Sequence, residues 1–110
     1  MANNNAVFSL PVPPKLIPFS FMDDQFYKGM RAHVVCAATQ GDLPLSFTWL
    51  KDGVDVRTLP EISTKSYDGY SSTLSIESVT SKHSGNYTCV ARNSAGSMQH
   101  TTQLSVHGKC

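Results

Sequence analysis

The sequence predicts an all-β fold, and three observations support this. Several segments alternate apolar and polar residues with a period of two, as a strand with one buried face does. Turn residues separate these segments at short intervals, and no segment shows the period of an amphipathic helix. The chain has 110 residues, a common size for one domain with one hydrophobic core. Seven to eight short strands around one core indicate a sandwich of two antiparallel sheets.

Two cysteines, a tryptophan and a tyrosine follow the pattern of one family of sandwiches. In an immunoglobulin domain, cysteines on strands B and F bridge the sheets, and a strand C tryptophan packs on the bridge. A tyrosine lies two residues before the second cysteine. The chain resembles this pattern at Cys36, Trp49, Tyr87 and Cys89. The resemblance implies a Cys36–Cys89 disulfide in a Greek-key sandwich, and disulfides form in oxidising compartments.

The segment before strand B is expected to lie at a sheet edge. Residues 10–14 are rich in proline, which cannot donate to a regular ladder. Phe19 and Phe21 alternate onto one face, and Pro18 is expected to bend the chain between the sheets. Residues 1–9 are expected to be a disordered lead or a segment added for expression, residues 10–107 one domain, and residues 108–110 its C-terminal boundary.

The alternation then assigns inward residues to each later strand. A short strand D is expected near residues 61–66, with Ile62 as its core candidate, and a tight F–G turn at residues 93–96. The inward sets are Ala32, Val34, Cys36 and Ala38 on strand B, Leu45, Phe47 and Trp49 on strand C, Leu74 and Ile76 on strand E, Tyr87, Cys89 and Ala91 on strand F, and Thr102, Leu104 and Val106 on strand G.

Composition and motifs argue against several classes of function. The formal net charge is +1 and 15% of residues are charged, so neither nucleic acid nor direct membrane contact is expected. The chain has no Gly-x-Ser-x-Gly motif, and a packed sandwich offers few cavities, so we expect no enzyme and no cofactor. The four histidines lie on at least three different segments and are expected to be solvated or hydrogen-bonded at the surface, without a metal. The third cysteine, Cys110, is either a cut point in a longer chain, which we favour, or a free thiol.

One motif indicates covalent modification. Asn86-Tyr87-Thr88 is an N-glycosylation sequon. If Tyr87 points inward, Asn86 and Thr88 point outward from the sheet that carries strands C, F and G, so a glycan is sterically possible. The same letters also commonly encode strand F, and the motif leaves both interpretations open.

Three segments are similar to domains of the Dscam family of neuronal and immune adhesion receptors, especially the alternatively spliced arthropod domains and those of the shortened relatives. They begin at Pro13-Pro14-Lys15, Tyr70-Ser71-Ser72 and His83-Ser84-Gly85. The few residues between strands C and D fit the I-set type, with sheets A-B-E-D and A'-G-F-C. His83 stands where the I-set pattern has an aspartate that pairs with a basic residue near strand D, so that bridge is not expected here.

This resemblance implies an extracellular module on a membrane-anchored receptor that binds an identical copy, antiparallel, through the A-B-E-D face. Without the family, an ordinary solvated face would be the favoured interpretation of those residues. The alternative function is a passive spacer domain in a longer receptor or filament. The candidate contact residues are the outward positions of that face: Arg31, His33, Val35, Ser63, Lys65, Thr73, Ser75 and Glu77.

Overall fold

Strands make up most of the computed structural model, which describes residues 10–21 and 25–108. Two single-turn 3-10 helices, Val56–Thr58 and Ser81–His83, connect some of them. The expectations for residues 1–9 and for residues 109–110, including Cys110, lie outside the described residues. The strands are β1 Lys15–Leu16, β2 Phe26–Tyr27, β3 Ala32–Gln40, β4 Ser46–Lys51, β5 Val54–Asp55, β6 Ser63–Ser66, β7 Ser71–Ile76, β8 Gly85–Asn93, β9 Gly96–Leu104 and β10 Val106–His107.

The strands form the two predicted sheets. The first sheet has the order β1-β3-β7-β6, which is the expected A-B-E-D order. The second sheet has the order β5-β4-β8-β9 and contains the expected strands C, F and G. A separate two-stranded sheet pairs β2 in parallel with β10 at the end of strand G, which is the neighbour expected for strand A'. The all-β immunoglobulin-like sandwich is therefore confirmed.

The chain crosses from the first sheet to the second near Pro18. The backbone N–H of Ile17 still donates to the Ala37 carbonyl on β3, at 2.9 Å. Two residues later, the Phe19 carbonyl lies 3.0 Å from a ring nitrogen of His100 on β9. Pro18 suits the crossing because it has no N–H to contribute to either sheet.

A disulfide and an indole ring join the sheets at the centre of the core. Cys36 on β3 is bonded to Cys89 on β8, as predicted. Trp49 lies directly opposite Cys89 in the β4–β8 register and is 2% exposed. Its Nε1–H donates to the Ser72 hydroxyl on β7 at 3.0 Å, so the buried indole has a hydrogen-bond partner. Ser72 was not among the predicted inward residues, although the alternation that places Leu74 and Ile76 inward extends to it.

Tyr87 fixes the chain between β7 and β8. Its ring is fully buried, and its hydroxyl donates to the His83 carbonyl at 2.6 Å. Burial is the main cause that raises the pKa of Tyr87 far above its usual range. Leu74, the other predicted core residue of this region, is also fully buried.

Two parts of the second sheet were not predicted. The short strand β5 pairs with the end of β4, although residues 54–67 show little periodicity. Strand G is also interrupted, because β9 ends at Leu104 and β10 begins at Val106. The Ser105 carbonyl accepts the Phe26 N–H at 3.2 Å, and the Ser84 hydroxyl accepts the Val106 N–H at 2.9 Å. These contacts between distant segments redirect the end of the strand.

Candidate recognition surface

The outward side chains of β3, β7 and β6 form rows across the first sheet. A row is a set of residues that lie side by side on neighbouring strands. The strand registers give one row that contains Ser75 and a second that contains Thr73. The ion pair of Glu77 gives the third row. All eight residues predicted as contact residues are therefore neighbours on one face. We call this set the first-sheet surface, and its rows are Arg31 and Glu77; His33, Ser75 and Ser63; and Val35, Thr73 and Lys65.

The side chains on the middle strand of the first-sheet surface, β7, are shorter than those on its margins. The β7 residues Thr73 and Ser75 have short side chains and are half-buried. On the flanking strands, Val35 is 44% exposed and Lys65 is also exposed. A face with small residues at its centre and longer ones at its margins can approach another flat face closely.

The charges at one end of this surface are paired within the chain. Arg31 Nε lies 3.1 Å from Glu77 Oε2, and both side chains are more than half exposed, at 53% and 78%. The ring of His33 adds a contact of 3.4 Å to Arg31 Nη1. Alternation placed Arg31 and Glu77 on the outward face but did not indicate this pair within the chain. Exposed ion pairs contribute about 0–1 kcal/mol, so a second copy can compete for either charge.

Two large apolar side chains extend the surface at its other end. Tyr67 is 60% exposed and Ile17 is 47% exposed. The Tyr67 N–H donates to the Ser71 carbonyl at 3.3 Å, which aligns Tyr67 with the next row. Lys65 Nζ lies 5.6 Å from the centre of the Tyr67 ring, within range of a cation–π contact. The outward residues of β3, β6 and β7 all carry odd numbers, and extending that series would have identified Tyr67.

His83 contradicts the expectation of a surface imidazole. It is 5% exposed, and its Nδ1 accepts the N–H of Thr80 at 2.9 Å. Its Nε2 lies 3.5 Å from the Glu61 carboxylate, just before β6. Burial lowers the pKa of His83, Glu61 partly opposes this, and Lys51 and Lys82 add to the lowering. A histidine and a glutamate thus replace the aspartate and the basic residue that pair in the I-set pattern.

Asn86 lies on the second sheet, away from the first-sheet surface. Its side chain is exposed, and β8 pairs it with Gln103 of β9. Its backbone N–H donates to Asp52 Oδ1 at 2.9 Å. This hydrogen bond is the main cause that lowers the pKa of Asp52, and Lys51 adds to it.

Residues 10–21 and 25–108 contain no group of three or more His, Cys, Asp or Glu residues that could bind a metal ion. In the same ranges no helix is long and apolar enough to cross a membrane.

Comparison with known proteins gives the family. The model of the immunoglobulin domain family matches residues 13–93. The solved structure of the Dscam1 Ig7 domain, isoform 5, superposes with a TM-score of 0.84 at 34% identity, over 87% of this chain and 98% of that one. The chain belongs to the Dscam family of immunoglobulin domains. Immunoglobulin domains of adhesion molecules are not enzymes, as the sequence predicted.

Curated relatives extend the Dscam assignment to longer proteins. The cell adhesion molecule Dscam2 of Drosophila melanogaster is 41% identical over 105 residues, which is 96% of this chain. This Dscam-type domain spans only 5% of the length of that protein. A second kind of neighbour is an I-band fragment of titin, with a TM-score of 0.76 at 27% identity, over 86% of this chain and 32% of that one.

Proposed function

We propose that this domain is an extracellular recognition module of a cell-surface receptor and that it binds an identical copy through the first-sheet surface. The observation that carries the proposal is the arrangement of that surface, which is flat, exposed and mixed in charge. Its relatives include cell adhesion molecules, which supports a role between cells. A two-fold contact places each patch against itself, and this surface carries both charge signs for that purpose.

The rows define a specific antiparallel register. A two-fold axis that crosses the strands at the row of Ser75 brings the row of Lys65 on one copy against the row of Glu77 on the other. Alternate residues on a strand are about 7 Å apart and adjacent strands about 4.8 Å apart, so the two side chains are within reach. The small Ser75 lies nearest the axis, where the copies approach most closely. By symmetry, the contact between Lys65 and Glu77 occurs twice.

The isolated contact should be weak. One face of a small domain buries a modest area, and such interfaces often give affinities of about micromolar or worse. Many receptors on two facing membranes would then supply the strength by multivalency.

Charge reversal tests this register. Lys65→Glu and Glu77→Lys each turn two attractive contacts into two repulsive ones, so each should weaken self-association by about tenfold or more. An equimolar mixture of the two variants should regain binding, because each of the two contacts then joins one carboxylate to one ammonium group. The chain that carries both reversals should bind itself and fail against the parent. Sedimentation over a concentration series measures all of these.

Two controls separate this contact from other effects. Arg31→Gln removes the ion pair within the chain but leaves Lys65 and Glu77 unchanged, so it should alter self-association much less. Gln99→Lys adds a charge to β9 on the second sheet and should have no effect. If the Gln99 variant lost the dimer while both reversals on the first sheet kept it, the interface would belong to the second sheet.

The passive spacer is the second candidate, and the similarity to titin supports it in part. A spacer has no need of self-association. A parent domain that sediments as a monomer at the highest attainable concentration would favour the spacer over the recognition module.

A further inference from the structure

We propose that Asn86 carries an N-linked glycan and that this glycan closes the second sheet to flat protein contacts. The inference rests on the proposed function in one respect, since it requires a domain that passes through the secretory pathway. The experiment that tests the inference measures the mass of the chain, and its result does not depend on whether the domain binds itself.

The Asn86 side chain is available for such a modification. Its backbone is held on both sides by Asp52, whose N–H donates to the Asn86 carbonyl at 2.8 Å and whose Oδ1 accepts the Asn86 N–H at 2.9 Å. Among the hydrogen bonds of the described residues, none uses the side-chain amide of Asn86. The neighbour across the strand pair, Gln103, is also exposed. A sugar on Asn86 therefore meets solvent, and the strand beneath it keeps its hydrogen bonds.

The folded strand constrains when the transfer can occur. The middle residue of the sequon, Tyr87, is fully buried, with its hydroxyl on the His83 carbonyl. The Thr88 hydroxyl lies 2.7 Å from that of Thr101 on β9. A transferase that must surround the sequon cannot reach it in this state. The sugar must therefore be added before β8 pairs with β4 and β9, and before Cys89 closes the disulfide.

The reaction needs a co-substrate of one chemical class, an oligosaccharide linked to a polyprenyl diphosphate. The Asn86 Nδ2 forms a bond to the anomeric carbon as the bond from that carbon to the diphosphate oxygen breaks. The nitrogen loses one proton, which the departing diphosphate oxygen takes up, and the polyprenyl diphosphate leaves.

A glycan here affects how the domain can meet other proteins. The sheets of a sandwich lie about 10 Å apart, and Asn86 projects from the face opposite the first-sheet surface. The glycan stands on the second sheet and is remote from the eight residues of the first-sheet surface. Flat packing of the second sheet is blocked, while the first sheet stays open.

The test is secretion of the 110-residue chain from animal cells behind a cleavable signal, with its mass measured before and after treatment with peptide N-glycosidase. The parent should carry a removable glycan mass, and the enzyme should leave aspartate at position 86. Thr88→Ala should abolish the glycan. Thr101→Ala is the matched control, because it removes the same hydroxyl contact between β8 and β9 but leaves the sequon intact, so it should remain glycosylated.

A Cys36→Ala variant, measured in cell lysate, keeps the inference falsifiable if a variant fails to be secreted. Its chain cannot close the disulfide, so its sequon stays open to the transferase for longer, and its occupancy should equal or exceed that of the parent. A secreted parent without removable mass overturns the inference, even if Cys36→Ala is modified, because folding then outruns the transfer. Equal removable mass in the parent and Thr88→Ala would also overturn it, because the sugar would lie elsewhere.

Discussion

Replacing Trp49 tests whether the core is organised around the indole ring. Trp49→Ala removes a side chain that is 2% exposed and lies opposite Cys89. Buried Trp→Ala changes cost about 3–5 kcal/mol, and the change also leaves the Ser72 hydroxyl without its donor, worth about 1 kcal/mol. Small domains are stable by only about 5–15 kcal/mol, so the variant should unfold at a much lower urea concentration.

A double-mutant cycle separates the hydrogen bond from the packing. Trp49→Phe keeps an aromatic ring but cannot donate to Ser72, and Ser72→Ala removes the acceptor. The two changes together should cost about 1 kcal/mol less than the sum of the single changes. Circular dichroism in urea, without reductant, is the assay, because Trp49 is the only tryptophan and fluorescence would be lost with it. A cost below about 1 kcal/mol for Trp49→Ala, or no coupling in the cycle, would refute this account of the core.

Two further predictions concern the loops around the core. Burial lowers the pKa of His83 in the folded domain below its value in the unfolded chain, about 6.5. The contribution of neutral His83 to the free energy of unfolding is therefore complete above about pH 6.5, and it is lost as the pH falls through the pKa of the folded domain. His83→Gln keeps an acceptor for the Thr80 N–H, so urea midpoints measured across this range should depend less on pH; an unchanged pH dependence would exclude His83 as its source. Gly85→Ala should cost about 1–3 kcal/mol, because the φ of +155° strains an L side chain and the Cβ would lie 2.5 Å from Asp52 Oδ2, so it would displace the carboxylate that accepts the Asn86 N–H. Thermal unfolding checks this, and a melting temperature equal to that of the parent would count against it.

The sequence predicted the residues whose direction follows from alternation alone. Inward and outward sets on β3 and β7 match the observed burial, because a period of two assigns each side chain to one face. The Cys36–Cys89 bond and the A-B-E-D order followed from the resemblance, and the structure confirms both.

Features that depend on contacts between distant segments were not predictable in this way. The burial of His83 requires the loop before β6 to fold over it, and the ion pair of Arg31 with Glu77 requires β3 and β7 to be in register. Strand β5 has two residues, too few to show a period. The partners of His83 and Arg31 are far away in the chain, so local patterns carry no information about them, whereas β5 pairs with the end of β4 across the short turn at Asp52 and Gly53.

The disulfide also limits how far the domain can lengthen under tension. Cys36 and Cys89 are 53 residues apart, so a pull on the two ends cannot extend the loop between them. Only the segments before Cys36 and after Cys89, about half of the 110 residues, can be drawn out. The first-sheet strands β6 and β7 both lie inside the protected loop, while β1 lies outside it. Under tension the domain would therefore yield at its terminal strands and still retain a covalently closed middle.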